Sequence, residues 1–331
     1  MQILVTGGAG FIGSHTCVEL LNEGFEVVVI DNFANSKPKA IDTVKELTGK
    51  TLKFYEGDIC DGNILERIFA ENNISCVIHF AGHKAVAESV ANPLMYYHNN
   101  IYGTTVLLDV MQNHSCKSMI FSSSATVYGI PETSPITENA YLQAINPYGR
   151  TKLFIEEICR DVYVSDDQWS FSLLRYFNPV GAHESGKLGE DPNGIPNNLM
   201  PIIMQAASGK ISELKVFGND YPTSDGTCIR DYIHVVDLAK GHIAALKSLK
   251  QGVSAYNLGT GKGYSVLDMI KTFESVNNVK VPYQFAPRRQ GDAAECWSDP
   301  NKAVHELGWK TNLGIEQMCR DAWGFVQENI K

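Results

Sequence analysis

The chain has 331 residues, 44% hydrophobic and 20% charged, with a formal net charge of −9 at pH 7. This composition is typical of a globular protein with two domains or lobes, and it excludes a largely disordered chain. The negative charge argues against a nucleic-acid partner, because such surfaces need basic residues that displace counterions. A small anionic ligand is still compatible if amides and arginines cluster locally.

Neither a charged segment followed by an apolar run nor a long apolar stretch occurs near the first residue, so we expect no signal peptide and no membrane partner. The eight cysteines are scattered without a C-x-x-C pair, which is typical of reduced thiols in a cytoplasmic protein.

His79 and His83 have the spacing of a helical metal site, but Gly82 lies between them at the end of an apolar strand. We therefore predict no metal site.

Apolar runs alternate with segments of helical periodicity through the first half of the chain. The runs are residues 3–6, 27–31, 52–58, 76–82, 119–124 and 171–177. Continuous apolar strands between helices are typical of a buried parallel sheet. The sequence therefore predicts an α/β fold, with a doubly wound Rossmann domain over residues 1–177.

The sequence changes character after residue 178, where residues 181–198 are rich in Gly, Pro and Asn. Such segments are typical of long ordered loops. We predict a smaller C-terminal lobe over residues 178–331, with residues 281–287 as one strand. Residues 231–246 have helical spacing, and we expect this segment to return to the first domain.

A glycine-rich turn, GGAGFIG, follows the first strand and contains Gly7, Gly10 and Gly13. This spacing gives a tight turn, close backbone approach and a helix N-terminus that faces a pyrophosphate. Asp31 ends the second strand, where its carboxylate can bind an adenosine ribose and disfavours the extra phosphate of NADP. The alternative is a structural turn with a surface Asp. Asp58 ends the third strand and is either an adenine contact or a strand-end cap.

Tyr148 and Lys152 lie four positions apart in NPYGRTK, after Asn146, a good helix cap. An apolar stripe then predicts the helix: Ile155, Ile158, Cys159 and Val162. Tyr148 needs a pKa about 3 units below normal to act as a base at neutral pH. An ammonium one turn away in a partly desolvated site would supply most of this shift, and a positively charged nicotinamide the remainder.

A hydroxyl that orients a substrate alcohol is expected at the end of a neighbouring strand. FSSSATVYG, residues 121–129, offers Ser124 in that position. Three serines after an apolar strand are by themselves equally typical of a plain loop. Because the glycine turn and the Tyr–Lys pair are also present, we interpret Ser124 as catalytic.

The sequence resembles the UDP-hexose 4-epimerases of the extended short-chain dehydrogenase/reductase family nearly from end to end. The stretches that carry the resemblance are VIHFAGHKAVAESV, FSSSATVYG, LRYFNPVGAHESGKLGEDPNGIPNNLMP, FGNDYPTSDGTCIRDYIHVVDLA, YNLGTGKGYSVLDM and APRRQGD.

The resemblance implies a tightly held NAD, a UDP-sugar substrate and a homodimer. Tyr148 would take the proton of the sugar 4-hydroxyl with help from Ser124 and Lys152, and a 4-keto sugar would receive its hydride back on the opposite face. The implied NAD-binding residues, beside the three glycines, are Phe11, Ile12, Asp31, Asn32, Asn35, Ser36, Asp58, Ile59, Phe80, Ala81, Gly82, Lys84, Asn99, Ser122, Tyr148, Lys152 and Phe177. The implied substrate-binding residues are Lys84, Ser124, Tyr148, Asn178, Asn198, Leu199, Val216, Phe217, Arg230, Arg289, Asp292 and Cys296.

Two of these assignments have alternatives. Arginines suit a diphosphate in an acidic protein, but Arg230 could instead form a structural salt bridge with Asp231 or another carboxylate. Cys296 takes the place of a family residue beside the sugar, where a bulky Tyr goes with plain hexoses and small residues with N-acetylated ones. We therefore expect UDP-GlcNAc and UDP-GalNAc to be substrates as well, unless Cys296 is merely a small buried thiol.

Two rival functions are open to test. Nucleotide-sugar 4,6-dehydratases of the same fold need an acid and a base beside the serine, whereas Ala125 and Thr126 stand there. A non-catalytic NAD sensor would be expected to lack Ser124 or the Tyr–Lys pair. Both observations favour an epimerase.

Overall fold

The computed structural model describes residues 1–194, 196, 198–289 and 291–330. The strands are β1 (Gln2–Thr6), β2 (Glu26–Asp31), β3 (Lys53–Glu56), β4 (Ile74–His79), β5 (Ser118–Ser124), β6 (Ser170–Tyr176), β7 (Asn178–Val180), β8 (Leu214–Phe217), β9 (Ile229–Arg230), β10 (Tyr232–His234), β11 (Gly252–Leu258), β12 (Tyr264–Ser265), β13 (Tyr283–Ala286) and β14 (Glu295–Cys296). The α-helices are α1 (Phe11–Asn22), α2 (Lys39–Thr48), α3 (Gly62–Glu71), α4 (Val86–Ala91), α5 (Pro93–Tyr96), α6 (Gly103–Asn113), α7 (Pro147–Ser165), α8 (Leu199–Ala207), α9 (Val235–Lys247), α10 (Val266–Asn277), α11 (Asn301–Leu307) and α12 (Ile315–Ile330). A π-helical turn covers Tyr97–Tyr102, and a 3₁₀-helix covers Ala125–Tyr128.

Seven strands form a parallel sheet in the order β11-β6-β5-β4-β1-β2-β3. The predicted Rossmann fold is therefore confirmed. The chain order reverses between β1 and β4, and ligands bind open α/β sheets outside the carboxyl ends of the strands at such a point. The predicted strand at 76–82 ends three residues early, at His79, because the chain leaves the sheet there. Edge strand β11 was not predicted, since its first four residues are only half-buried and lack an apolar run.

Helices cover both faces of this sheet. In β1, Ile3 and Val5 pack on one face with residues of α1, α2 and α9, whereas Leu4 packs on the other with residues of α3, α6 and α7. This alternation follows from the two-residue period of a strand. Helix α9 covers most of residues 231–246 and packs against α1, as expected if this segment returns to the first domain.

The remaining strands form small sheets. β8 pairs with β13, β7 with β10, and β9 lies between β12 and β14. A separate apolar cluster joins α8, α10 and α12 to β8. The division of the chain at residue 177 stays a prediction. Of the helices in the described ranges, none combines the length and the apolar character needed to cross a membrane.

Candidate functional site

A large cleft lies at the carboxyl ends of the central strands. Every residue predicted to bind the cofactor lines it: Gly7, Gly10, Phe11, Ile12, Gly13, Asp31, Asn32, Asn35, Ser36, Asp58, Ile59, Phe80, Ala81, Gly82, Lys84, Asn99, Ser122, Tyr148, Lys152 and Phe177. The tertiary structure thus brings together residues spread over more than half of the sequence. Their individual roles stay predictions.

The glycine turn is packed so tightly that side chains are excluded. Gly7 has φ +69°, and a Cβ there would lie 2.8 Å from the amide nitrogen of Ala81. A Cβ on Gly13 would lie 2.3 Å from the carbonyl oxygen of Gly7. No side chain caps the N-terminus of α1 at Gly10, so its first amide groups face the cleft without an intrahelical partner. These amides and the positive end of the helix dipole suit a pyrophosphate.

Asp31 organises the turn in addition to lining the cleft. Its Oδ2 accepts a hydrogen bond from the amide of Ala9 (3.0 Å), and its Oδ1 accepts from the amide of Phe33 (2.9 Å) and from Ser36 Oγ (2.7 Å). Asp31 is 8% exposed, so it is not a surface Asp. The three hydrogen bonds fix the orientation of its carboxylate.

The sequence left open whether Asp58 is a strand-end cap or an adenine contact, and its position is compatible with both. Its Oδ1 accepts from the amide of Cys60 (2.8 Å), which caps the turn after β3. Its Oδ2 accepts from Asn32 Nδ2 (2.8 Å) at the rim of the cleft. The cap therefore holds the carboxylate beside the region where an adenine contact is predicted.

The three predicted catalytic residues meet in the same cleft. Asn146 Oδ1 caps α7 by accepting from the amide of Gly149 (2.8 Å), as the sequence predicts. Lys152 is buried, donates to the carbonyl oxygen of Ser122 (2.6 Å) and lies 5.9 Å from the centroid of the Tyr148 ring. Ser124 Oγ accepts from the Thr126 amide (3.2 Å) and from the Thr126 hydroxyl (3.0 Å).

The acidity of the pair differs from the sequence prediction. Burial raises the pKa of Tyr148, and the Ser124 hydroxyl only partly opposes this rise. Burial also lowers the pKa of Lys152 from 10.5 to about 7. Desolvation favours the neutral form of both groups, so in the protein alone the ammonium does not lower the pKa of the phenol. A further positive charge is needed to make Tyr148 a base.

The predicted substrate residues fall into two groups. Lys84, Ser124, Tyr148, Asn178 and Asn198 line the cleft. The others lie outside it, in or beside α8, β8, β9 and β14: Leu199, Val216, Phe217, Arg230, Arg289, Asp292 and Cys296.

The second group is organised around Asp292. Arg289 Nε donates to Asp292 Oδ2 (2.9 Å), and its guanidinium lies 4.9 Å from the centroid of the Phe217 ring. Arg230 Nη2 lies 3.9 Å from Asp292 Oδ1, while its Nη1 donates to the carbonyl oxygens of Ile229 (2.8 Å) and Ala293 (2.9 Å). The salt-bridge alternative for Arg230 is thus realised with Asp292. Both arginines thus lie beside the Asp292 carboxylate. Their remaining N–H groups are suited to a diphosphate.

Cys296 pairs with Arg230 across β14 and β9 and packs against the small cluster that contains Phe177. Burial raises the pKa of its thiol. This residue therefore joins the arginine group to the wall of the cleft. Its position is compatible with the predicted contact with the sugar and equally with a small buried thiol.

One cleft residue was missed by sequence reasoning. The carboxylate of Glu190 lines the cleft and accepts from Lys84 Nζ (3.1 Å) and from Asn198 Nδ2 (2.7 Å), linking a predicted cofactor residue to a predicted substrate residue. Glu190 had no signal in the sequence, because it is a single acid in a loop. His79, which the sequence singled out only for its spacing from His83, is buried between the hydroxyls of Thr6 (2.7 Å) and Thr104 (2.9 Å), and burial lowers its pKa to about 3.

Comparison with known proteins identifies the family. A family model described as GDP-mannose 4,6 dehydratase matches residues 4–322. The UDP-glucose 4-epimerase of Bacillus subtilis (strain 168) is 61% identical over 332 residues, which cover 100% of this chain and 98% of that protein. The chain belongs to the UDP-glucose 4-epimerase family. This membership agrees with the resemblance seen in the sequence.

Solved structures of UDP-glucose 4-epimerase family members superimpose closely. That of the Bifidobacterium longum enzyme, in complex with NAD+ and UDP, has a TM-score of 0.97 at 55% identity and covers 100% of this chain and 99% of that chain. That of the UDP-Glc/GlcNAc 4-epimerase of Campylobacter jejuni has a TM-score of 0.86 at 36% identity and covers 99% of both chains.

The dehydratase name of the family model does not carry over to the chemistry of this site. Ala125 and Thr126 begin the 3₁₀-helix directly after Ser124. Ala125 has no titratable group, and Thr126 donates its hydroxyl to Ser124. Elimination of water needs an acid and a base at these positions, and this chain has neither there.

Proposed function

We propose that this protein interconverts UDP-glucose and UDP-galactose by NAD-dependent epimerisation at C4. The observation that carries the proposal is the meeting of Ser124, Tyr148 and Lys152 in one cleft with all the residues predicted to hold NAD. The excluded side chains at Gly7 and Gly13 and the uncapped N-terminus of α1 support the fit of the pyrophosphate.

NAD held by these residues would supply the acceptor for the C4 hydride of the hexose and would allow its return to the opposite face. Tyr148 removes the proton of the 4-hydroxyl and later restores it, and Ser124 holds that oxygen through a hydrogen bond. Asp31 binds the ribose, and the α1 amides bind the pyrophosphate. Arg230 and Arg289 anchor the UDP, so the 4-keto sugar can turn over while its nucleotide stays fixed.

Tyr148 needs a cationic environment to act as a base, because its pKa is raised in the protein alone. Lys152, with a pKa near 7, is only partly charged at neutral pH. An oxidised nicotinamide held in the cleft would supply a further positive charge, which would favour the phenolate form of Tyr148.

The experiment that tests this function uses the purified protein with NAD bound. We expect UDP-galactose to be converted to UDP-glucose without net consumption of NAD, as measured by separation of the two sugars. A dehydratase would release a 4-keto-6-deoxy sugar with a characteristic absorbance in alkali. A sensor would leave the sugar unchanged.

We further propose that the same site epimerises UDP-GlcNAc and UDP-GalNAc. The size of the Cys296 side chain supports this, because a Tyr there would occupy the space that an N-acetyl group needs. The printed name of the Campylobacter jejuni relative includes both sugar types. In Cys296→Tyr we expect turnover of UDP-GlcNAc to fall while UDP-glucose turnover persists. Failure of the wild type to use UDP-GlcNAc would end this part of the proposal.

We also propose that the protein is a homodimer. Helices α4, α5 and α7 pack together with the π-helical turn and expose large apolar side chains: Val86, Val90, Leu94, Met95, Tyr102 and Phe154. A second copy would cover this apolar surface. Leu94→Glu should shift the protein towards monomers in sedimentation, whereas Ile130→Glu, an exposed apolar residue elsewhere, should not.

A cytoplasmic location is proposed on different grounds. All eight cysteines lie in the described residues, and all are free thiols. Proteins with many unpaired cysteines are typical of reducing compartments. Alkylation under denaturing conditions, directly after lysis of intact cells, would test this, since buried reduced thiols would then be labelled and oxidised ones would not.

A further inference from the structure

Two charged side chains, Glu156 and Arg175, are fully buried beside the cleft, and neither is among the predicted catalytic or binding residues. Glu156 is 0% and Arg175 1% exposed. Arg175 donates from Nε to Glu156 Oε1 (2.9 Å) and from Nη2 to Glu156 Oε2 (2.6 Å). The hydroxyl of Ser123 donates to the same Oε1 (2.6 Å). One carboxylate thus receives three hydrogen bonds from two different strands.

These contacts join the elements that carry the catalytic groups. Glu156 lies one helical turn beyond Lys152 on α7, the helix that begins with Tyr148. Ser123 precedes Ser124 in β5, and it is the register partner of Arg175 in β6. The Glu156 carboxylate therefore connects the helix of the base to the residue adjoining Ser124.

Arg175 also fixes the chain on the other side of Ser124. Its Nη1 donates to Tyr128 Oη (2.9 Å), which in turn donates to Asn257 Oδ1 (2.7 Å). Tyr128 ends the 3₁₀-helix that begins directly after Ser124. The ion pair thus holds the residues on both sides of the catalytic hydroxyl.

Stability alone does not account for this arrangement. Burying two charges carries a large desolvation penalty, and apolar replacements of such pairs are often neutral or stabilising. A bidentate guanidinium–carboxylate pair does offer a fixed relative orientation of the two elements that carry it.

We propose that the Glu156–Arg175 pair is a positioning device that sets the Ser124 hydroxyl relative to Tyr148 and Lys152. The proposal rests on the proposed function, since this geometry matters only if the three groups handle one proton. Glu156, Arg175 and Ser123 are positioning residues, because they act through Ser124 and α7 without touching substrate.

The test compares Glu156→Gln and Ser123→Ala with Glu157→Gln. Glu157 is the next residue on α7, is exposed, and forms an ion pair with Arg160 at 3.3 Å; the same arginine lies 3.5 Å from Glu156 Oε2, so this control also tests whether Arg160 matters. We expect Glu156→Gln and Ser123→Ala to lower kcat about tenfold with KM for UDP-galactose changed less than about twofold, because a small displacement of a catalytic group costs rate more than binding. Glu157→Gln should leave both constants unchanged.

A second readout does not depend on activity. The Ser124 hydroxyl lowers the pKa of Tyr148, so its displacement should move the Tyr148 titration to higher pH. Phenolate absorbance, taken as the difference between each protein and its Tyr148→Phe counterpart, measures this directly. The other titratable groups facing Tyr148 are Lys152 on α7, Tyr96 on α5 and Tyr176 on β6, and none of them is altered.

Folded Glu156→Gln and Ser123→Ala proteins with wild-type kcat and a wild-type Tyr148 titration would overturn the proposal. If Glu156→Gln does not fold, the Ser123→Ala variant alone tests the positioning proposal, because it leaves the ion pair intact. If the wild type does not convert UDP-galactose, the proposed function fails. The Tyr148 titrations then still decide whether the pair positions Ser124.

Discussion

In the part of the site that lines the cleft, the predicted ligand-binding groups are backbone amides and short side chains already held by local contacts. In the part around Asp292, they are two long arginine side chains that come together from β9 and the loop after β13. Asp31 holds the first part in place with three hydrogen bonds, whereas Asp292 pairs with cations that a diphosphate would share. A preorganised amide cradle suits a resident cofactor, and paired arginines suit a substrate that must leave.

Tyr148→Phe gives the largest expected effect. It tests whether the cleft part still binds NAD, and the Asp292 part still binds UDP, when the proton-transfer group is removed. We expect kcat to fall about 10³-fold, because general acid–base catalysis contributes on this scale, while NAD content and UDP affinity stay normal. Rapid-quench assays measure kcat, and calorimetry with UDP measures the affinity. Tyr163→Phe makes the same change on the same helix and should be silent. Comparable activity in the two variants would refute the assigned base.

Arg289→Ala tests the substrate part alone. Loss of a charge-assisted hydrogen bond is worth about 1.5–3 kcal/mol, so KM for UDP-galactose should rise roughly 10- to 100-fold with NAD content unchanged. Steady-state kinetics and absorbance of released NAD provide the measurement. Arg288→Ala is the matched control, since Arg288 instead pairs with Asp220 and stacks on Tyr221. Equal effects of both changes would mean that Arg289 acts only through bulk charge.

Gly13→Ala tests the cofactor part. The added Cβ would meet the Gly7 carbonyl at 2.3 Å, so the turn must move. We expect a loss of about 1–3 kcal/mol in unfolding free energy and of retained NAD, with UDP binding preserved. Gly324→Ala in α12 has no atom within 4 Å of its Cβ and should be neutral or slightly stabilising. Denaturant titration and NAD content after gel filtration measure both.

The last prediction concerns how the free energy of unfolding depends on pH through Lys152, which is buried in the wall of the cleft. Above about pH 7 folded Lys152 releases its proton, whereas in the unfolded chain it stays charged to near pH 10.5. The unfolded state binds more protons in this window, so the contribution of Lys152 to stability rises with pH by about 1 kcal/mol per unit. Lys152→Met should remove that rise, seen as a flatter stability curve between pH 7 and 10. An unchanged slope would show that Lys152 stays charged when folded.

The cofactor part was predictable from the sequence because its determinants are local. Gly7, Gly10 and Gly13 follow a strand and begin a helix, and Asp31 ends the next strand. Strand periodicity and helix capping place each of them at the same edge of the sheet. The α7 helix likewise follows from Asn146 and one apolar stripe.

The arginine group could not be derived in this way. Phe217, Arg230 and the neighbouring Arg289 and Asp292 lie on three separate segments of the chain, and no periodicity links these segments. Only the resemblance to the family named them together. Glu190 and the Glu156–Arg175 pair had no sequence signal at all, because a single charged residue is ordinarily assigned to the surface.

The sequence by itself determined the first six strands of the central sheet, the phosphate turn and the Tyr–Lys spacing, because each depends on neighbours a few residues away. The tertiary structure alone decided which charges are buried and hence how Tyr148 and Lys152 titrate. Desolvation depends on everything packed around a group, and residues distant in the chain supply most of that packing.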